Sequence, residues 1–584
     1  MTASHDGPSS TSSEQRDAQM LTALVRLRGA LQAAVLPLDL PGVEQLRSSR
    51  SSMVEQLEDY VIPRVMTVEA PLVAVVGGST GAGKSTLVNS LVGERVTIPG
   101  LLRPTTRSAV LVHHPDDASW FGQDRLLPGL RRVDHPTDDP EALQLVPSTL
   151  MPQGLALVDA PDVDSVEQRN RELAGQLLAA ADLWLFVTSA ARYADQVPWQ
   201  HLRGAADRAT AVAVVLDRTP VEAVETVATH LARMLASRGL KDSPIFVVHE
   251  GPIDEQGLLP AEHVADVRGW IDALAADPGG RSVVVKQTLE GAIRAMTHHA
   301  YPLVEGVGEQ QRAIADLRDD VASAFDAAHE AGLRSATDGS LLRGEVLALW
   351  QDVVGTGELL RSLDNRVGWL RERVVGAVRG KPQQAERVVL AVESAIELLV
   401  LEQAERAAGT VAAAWAERPG GPGLLAAGSD LGRASRDLRR RAEAAVRRWQ
   451  GEMAELVAAD DAERRTARYL AFGQTGLAVA LMIQIVGHDV PRASAAGTPT
   501  TSVAAADSLA LGRQLLDAVL GPAAVDRMIA TGVGSLRSLV RELIESETVR
   551  FGEVLLGVTL PADAADQLRE AARRVDDARF ASAR

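Results

Sequence analysis

Apolar positions along the chain follow three successive patterns. From about Gln19 to Tyr60 they recur at a helical period (Leu21, Leu24, Val25, Leu27, Leu31), break near Pro37 and Pro41, and resume over 43–61. Between 70 and 250 short β-branched runs alternate with helical stretches. The runs 72–77, 108–113, 154–158, 182–188, 211–216 and 244–248 read as buried strands, and helices are predicted after Lys84, Ser165, Pro198 and Pro220. This alternation predicts a doubly wound, mostly parallel α/β sheet, with a ligand site at the carboxyl ends of its strands. From about Arg281 the strand signals vanish. Long helices are predicted over 283–335, 341–378, 383–417 and 429–468, with breaks at Asp338-Gly339, at Gly380-Lys381-Pro382 and in the Pro/Gly run 418–423. Helices of that length predict a large, elongated all-α helical bundle, and no fixed-period repeat speaks for a solenoid.

Two stretches fall outside these patterns. Residues 1–18, rich in Ser, Thr and Asp, read as a disordered tail. Residues 469–487 carry no charge, with Arg464, Arg465 and Arg468 just before them. At 1.5 Å per residue that run is long enough to cross a bilayer, but its Gln, Thr and Gly residues count against a span. A helix buried in the bundle, a membrane-inserting tip and a true span all remain open. The expected division is therefore 1–18 tail, 19–66 N-terminal helices, 67–280 nucleotide domain, 281–468 helical trunk, 469–525 apolar tip or hairpin, and 526–584 returning helices.

Composition narrows the class. At 584 residues two to four domains are expected. Cysteine is absent, which excludes a disulfide scaffold and thiolate metal sites. The formal net charge of −17 argues against nucleic acid as a partner. No apolar h-region follows Met1, so the expected location is cytoplasmic, at most peripheral at the inner face of the membrane.

The chemistry is concentrated after the first strand, in Gly78-Ser79-Thr80-Gly81-Ala82-Gly83-Lys84-Ser85-Thr86. The glycines permit a tight loop whose N–H groups point at an anion. Lys84 can reach β- and γ-phosphates, the Ser85 hydroxyl suits Mg²⁺, and the following helix turns its positive end to the phosphates. Strand, loop, Lys-Ser and helix in this order constitute a nucleotide-binding P-loop. In Pro104-Thr105-Thr106-Arg107, Thr106, with Thr105 in reserve, can bring a hydroxyl to Mg²⁺ from a mobile loop. Asp159 ends a buried strand and can hold Mg²⁺ through a water. Lys84, Thr106 and Asp159 are thus the expected catalytic set, and Ser85, Thr106 and Asp159 the expected metal set.

Together these residues resemble the dynamin-like and Era-like branch of the translation-factor-related GTPases, over about 180 residues, and the helical flanks more loosely resemble a bacterial dynamin neck and trunk. The resemblance implies GTP and Mg²⁺ as cofactors, a hydrolysing switch, a homodimer paired through the G domains, and membrane lipid as a partner, here at 469–487. The sequence departs from that family at three places. Asp162 stands where switch II has glycine; Val163, which follows where many small GTPases place Gln, is a hydrophobic replacement familiar in dynamin- and Era-like members. Gly81 replaces the Asn or Ser that helps bind an activating monovalent cation. After the fifth strand Asp217 and Arg218 can take the places of Asn and Lys, but the Pro220 side chain cannot accept the guanine hydrogens.

Other readings compete. An ABC ATPase needs a signature motif and a Glu after Asp159, where Ala160 stands. A nucleotide-gated binding module with negligible turnover fits Asp162 and Val163. An RNA-associated Era-like role conflicts with the charge. Arg192 or Tyr193, after the fourth strand, reads as a contact to substrate or to a facing G domain, or as part of an ordinary structured loop. The basic cluster Arg439, Arg440, Arg441, Arg447 and Arg448 reads as a solvated helix face or a lipid-headgroup contact.

Overall fold

The computed structural model describes residues 9–98, 108–354, 382–428, 430–459, 467–490 and 503–582. The chain forms two compact units: Met1–Leu36, Gly42–Glu309 and Leu560–Arg584 in the first, and Pro37–Pro41 with Gln310–Thr559 in the second.

The first unit is built on an eight-stranded sheet. Its strands are β1 (Leu72–Gly78), β2 (Ala109–His113), β3 (Arg131–Val133), β4 (Ala142–Pro147), β5 (Leu155–Asp159), β6 (Leu183–Ser189), β7 (Ala211–Thr219) and β8 (Ile245–His249). Their spatial order is β3-β4-β2-β5-β1-β6-β7-β8, and only the β2–β5 pair is antiparallel. Central strands read as unbroken apolar runs because both faces are covered: every residue of β1 is buried. Alternate side chains serve opposite cores. Val73, Val75, Trp184 and Phe186 pack with Leu173 and Leu177 of helix Gln168–Ala179, whereas Ala74, Val76, Leu185 and Val187 pack with Leu87 and Leu91 of helix Lys84–Val92. The six strands expected from the sequence are present. β3 and β4 are additions, since Arg131-Arg132-Val133 carries no strand pattern and makes only a three-residue edge.

The first of these cores also takes in the two ends of the chain. Leu24, Leu27 and Leu31 of helix Ser9–Ala33 and Leu568, Ala572 and Val575 of helix Ala564–Ser582 lie in it. Two expectations change as a result. Residues 9–18 are the start of a helix and not part of a disordered tail. The boundary expected at 280/281 falls inside the continuous helix Pro278–Thr337.

The second unit is all helix among the described residues. It contains the second part of Pro278–Thr337, then Glu345–Val354, Pro382–Glu417, Gly421–Ala427, Leu438–Ala459, Ala467–Val486, Val503–Leu520, Pro522–Ser546 and Thr548–Leu556. The uncharged run 469–487 lies mostly in Ala467–Val486, which is kinked at Gly473. Leu477, Val479, Leu481, Ile483 and Ile485 are all 0% exposed, and Met482 is 2%. Helices Pro382–Glu417, Leu438–Ala459, Val503–Leu520 and Pro522–Ser546 pack around them. A Cβ added to Gly532 would lie 2.2 Å from Ile485 Cδ1, so that glycine is what lets the helices close on the run. Gln484 donates to the Leu509 carbonyl at 2.8 Å, and Gln474 to the Ala454 carbonyl at 2.9 Å. The membrane tip at 469–487 is corrected accordingly: the side chains expected at the acyl boundary are the core of this unit. Among the described residues no helix is long and apolar enough to cross a membrane.

Candidate nucleotide site

β1 delivers the chain to the P-loop at the sheet edge where β5, β6 and β7 also end. Glycine is required at the exit. Gly78 has φ 152, and a Cβ there would fall 2.0 Å from the Val187 carbonyl of β6. Gly81 (φ 74) and Gly83 (φ 96) make the left-handed turns that start helix Lys84–Val92, whose Leu87, Val88 and Leu91 anchor it to the sheet. Asn89, fully buried in this helix, accepts from the Val96 and Thr97 N–H groups at 2.9 Å each and so pins the chain that follows.

Lys84 is 5% exposed. Its ammonium donates to the Gly78 and Ser79 carbonyls at 3.2 Å each and forms an ion pair with Asp162. The Ser85 hydroxyl donates to Asp159 Oδ2 at 2.7 Å. Asp159 is fully buried at the end of β5, and burial pushes its pKa up to about 6 against the opposing pull of Ser85 and Lys84. Its Oδ1 is buried without a hydrogen-bond partner among the described residues. An unpartnered anionic oxygen beside a serine hydroxyl suits a hard divalent cation such as Mg²⁺. The expected third member, Thr106, and its reserve Thr105 lie outside the described residues.

Residues 162–164 close over the loop. Val163, fully buried, donates its N–H to the Gly78 carbonyl at 3.3 Å. Asp164 Oδ1 accepts from the Thr80 N–H (2.6 Å) and hydroxyl (2.7 Å), while its Oδ2 takes Arg192 at 2.8 Å. Sequence reading missed Asp164; the only signal was a second carboxylate two residues after Asp162. Arg192 thus faces this segment, whereas Tyr193 turns away to His230, 2.9 Å from its Nδ1.

On the far side, β7 brings Asp217 against the loop. A Cβ on Gly83 would be 2.0 Å from Asp217 Oδ2. Burial raises the Asp217 pKa to about 6, opposed by the Arg218 N–H bonded to Oδ1 at 2.7 Å and by the Arg218 charge. Arg218 has φ 50, an uncommon conformation for a non-glycine residue, and Thr219 and Pro220 follow. Ser79 and Ala82 are buried within the loop, and Thr86 sits in the first turn of the helix that follows it.

Of the basic cluster in the second unit, Arg441 is held by Glu547 and by Ser546 (2.6 Å), and Arg447 by Glu393 (3.4 Å).

No protein-family model matches the chain. A curated Arabidopsis thaliana protein, "Probable transmembrane GTPase FZO-like, chloroplastic", is 30% identical over 132 residues, 23% of this chain and 13% of that protein. The chain thus spans about an eighth of the length of that relative. Among solved structures, an oligomerised bacterial dynamin pair linked to long-range sensing and tethering of membranes aligns at TM-score 0.37 and 9% identity, over 92% of this chain and 95% of the other. The LeoA bacterial dynamin GTPase from ETEC aligns at TM-score 0.23 and 11% identity, over 98% and 99%. Aquifex aeolicus Era aligns at TM-score 0.23 and 20% identity, over 35% and 56%. On its own strand order and loop geometry, the first unit is a P-loop α/β nucleotide-binding domain, joined in this chain to a large all-α unit, and part of the sequence is similar to a protein named as a GTPase.

Proposed function

We propose that the protein is a GTP-binding, GTP-hydrolysing, dynamin-like enzyme whose nucleotide state moves its helical unit at a membrane surface. The observation that carries the catalytic part is the Lys84–Ser85–Asp159 constellation at the mouth of the sheet, with Lys84 and Asp159 buried and Ser85 half-buried between phosphate loop and carboxylate. Lys84 and the loop N–H groups would bind the phosphates. Ser85 and Asp159, with Thr106, would hold Mg²⁺, which neutralises charge on the transferring phosphoryl group. Gly78–Thr86 would cradle the phosphates, and Asp217 and Arg218 would border the base. Guanine is supported by the likeness to a GTPase-named relative, since the Pro220 side chain has no acceptor for the base. Membrane action is supported by the same relative's name, and the contact would not use 469–487. Pairing of two G domains, with Arg192 near the facing surface, belongs to the same proposal.

Phosphate release under multiple turnover, with the protein alone and then with liposomes, tests this reading. Release above background that is abolished by Lys84→Ala supports it. A second reading, a nucleotide-gated module with negligible turnover, is favoured by one observation: Val163 is buried where a water-orienting side chain would stand. Nucleotide binding without phosphate release, in both conditions, would select that second reading.

A further inference from the structure

Resting on the nucleotide-site reading, we propose that the Asp162 carboxylate occupies the terminal-phosphate position on Lys84 and competes with a triphosphate for that ammonium. Two acidic side chains of the segment 162–164 already occupy P-loop donors. Asp162 takes the Lys84 ammonium, and Asp164 takes the Thr80 N–H and hydroxyl. Between them Val163 is bonded through its N–H to Gly78 and has no exposed surface. Both Lys84 and the Asp162 side chain are largely withdrawn from water, at 5% and 8% exposure.

Charge decides what such a site will accept. A diphosphate places its last phosphate on the loop N–H groups and on one side of Lys84, and in this proposal Asp162 keeps the remaining side of the ammonium. A triphosphate puts a further anion on Lys84, so two anions meet one cation in a poorly solvated site. Asp162 must then withdraw. Because Val163 and Asp164 are its immediate neighbours in the chain, their bonds to Gly78 and Thr80 are strained or broken by the same movement. Arg192, bonded to Asp164, is the next group to feel it. The terminal phosphate thereby reaches the loop after β6 through differential contacts with two states of a single segment.

The test compares affinities for GDP and for a non-hydrolysable GTP analogue, each with Mg²⁺, in the wild type, Asp162→Asn and Asp162→Gly. Asn keeps the shape without the charge and serves where Gly compromises folding. The expected result is triphosphate affinity raised at least tenfold, with GDP affinity changed less than threefold. Hydrogen exchange at the Val163 amide should also rise in the wild type with the triphosphate and not with GDP. Equal changes for both nucleotides, or none, would overturn the proposal while leaving the P-loop reading intact. Absence of binding by every variant and by the wild type would overturn both.

Discussion

Asp182, just before β6, holds Arg64 at two points: Oδ1 to Nε at 3.0 Å and Oδ2 to Nη2 at 2.5 Å. The two side chains are 1% and 3% exposed. The same carboxylate accepts from the Tyr60 hydroxyl at 3.0 Å and from the Val73 N–H of β1 at 2.8 Å. One buried group therefore ties the helices before the P-loop strand to two central strands. Breaking such a pair strands a buried charge, so Asp182→Asn is expected to cost about 3–5 kcal/mol. Scanning calorimetry should show the loss in the variant's lowest transition. Arg64→Met combined with Asp182→Leu should cost less than the sum of the single changes.

Leu481 and Ile485 separate a core helix from a lipid-seeking one. Placing Asp at either fully buried position is expected to cost more than about 4 kcal/mol. Gly532→Ala, which drives a methyl into Ile485, is expected to cost about 1–3 kcal/mol. Melting curves check both. A Leu481→Asp variant that melts like the wild type but loses liposome co-sedimentation would reverse the assignment of this helix.

These two results show how much was legible in the chain. The P-loop, its strand and its helix could be read directly because glycine spacing, Lys-Ser and apolar periodicity act within twenty residues. Six strands were legible for the same local reason. The role of 469–487 was not, because an uncharged run suits a protein core as well as a bilayer, and only Gly532 and its neighbours, distant in sequence, decide between them. Likewise the Asp162–Lys84 and Asp164–Thr80 contacts join positions some eighty residues apart, for which a single sequence has no local signal.

Asp59 gives a pH test. It is 7% exposed, it accepts from Gln176 at 2.7 Å, and burial raises its pKa from 3.8 to about 6, with Glu55 and Glu58 adding repulsion. The folded state therefore binds this proton more tightly than the unfolded chain. The group's contribution is most favourable below about pH 4 and is lost as pH rises to about 6. Asp59→Asn keeps the acceptor and removes the charge. Its melting temperature should match the wild type near pH 4 and exceed it above pH 6, by an amount equivalent to about 1–3 kcal/mol. A constant difference across that range would contradict the assignment.

Asp159 should matter more to turnover than to binding. Asp159→Asn is expected to reduce phosphate release by about 100-fold or more, since the carboxylate acts on charge that develops during transfer. Its nucleotide affinity should fall far less. Single-turnover kinetics with saturating Mg²⁺ separate the two, and equal losses in binding and rate would place Asp159 in the ground state only.

The most direct measurement is a titration of fluorescent GTP and ATP analogues, with Mg²⁺, against the wild type and a folded Lys84→Ala variant. The account predicts saturable binding that favours GTP. In the variant binding should be weaker by about 2–4 kcal/mol, a factor of about 30 to 1,000. Unchanged affinity in the variant, or tighter binding of the ATP analogue by the wild type, would contradict it.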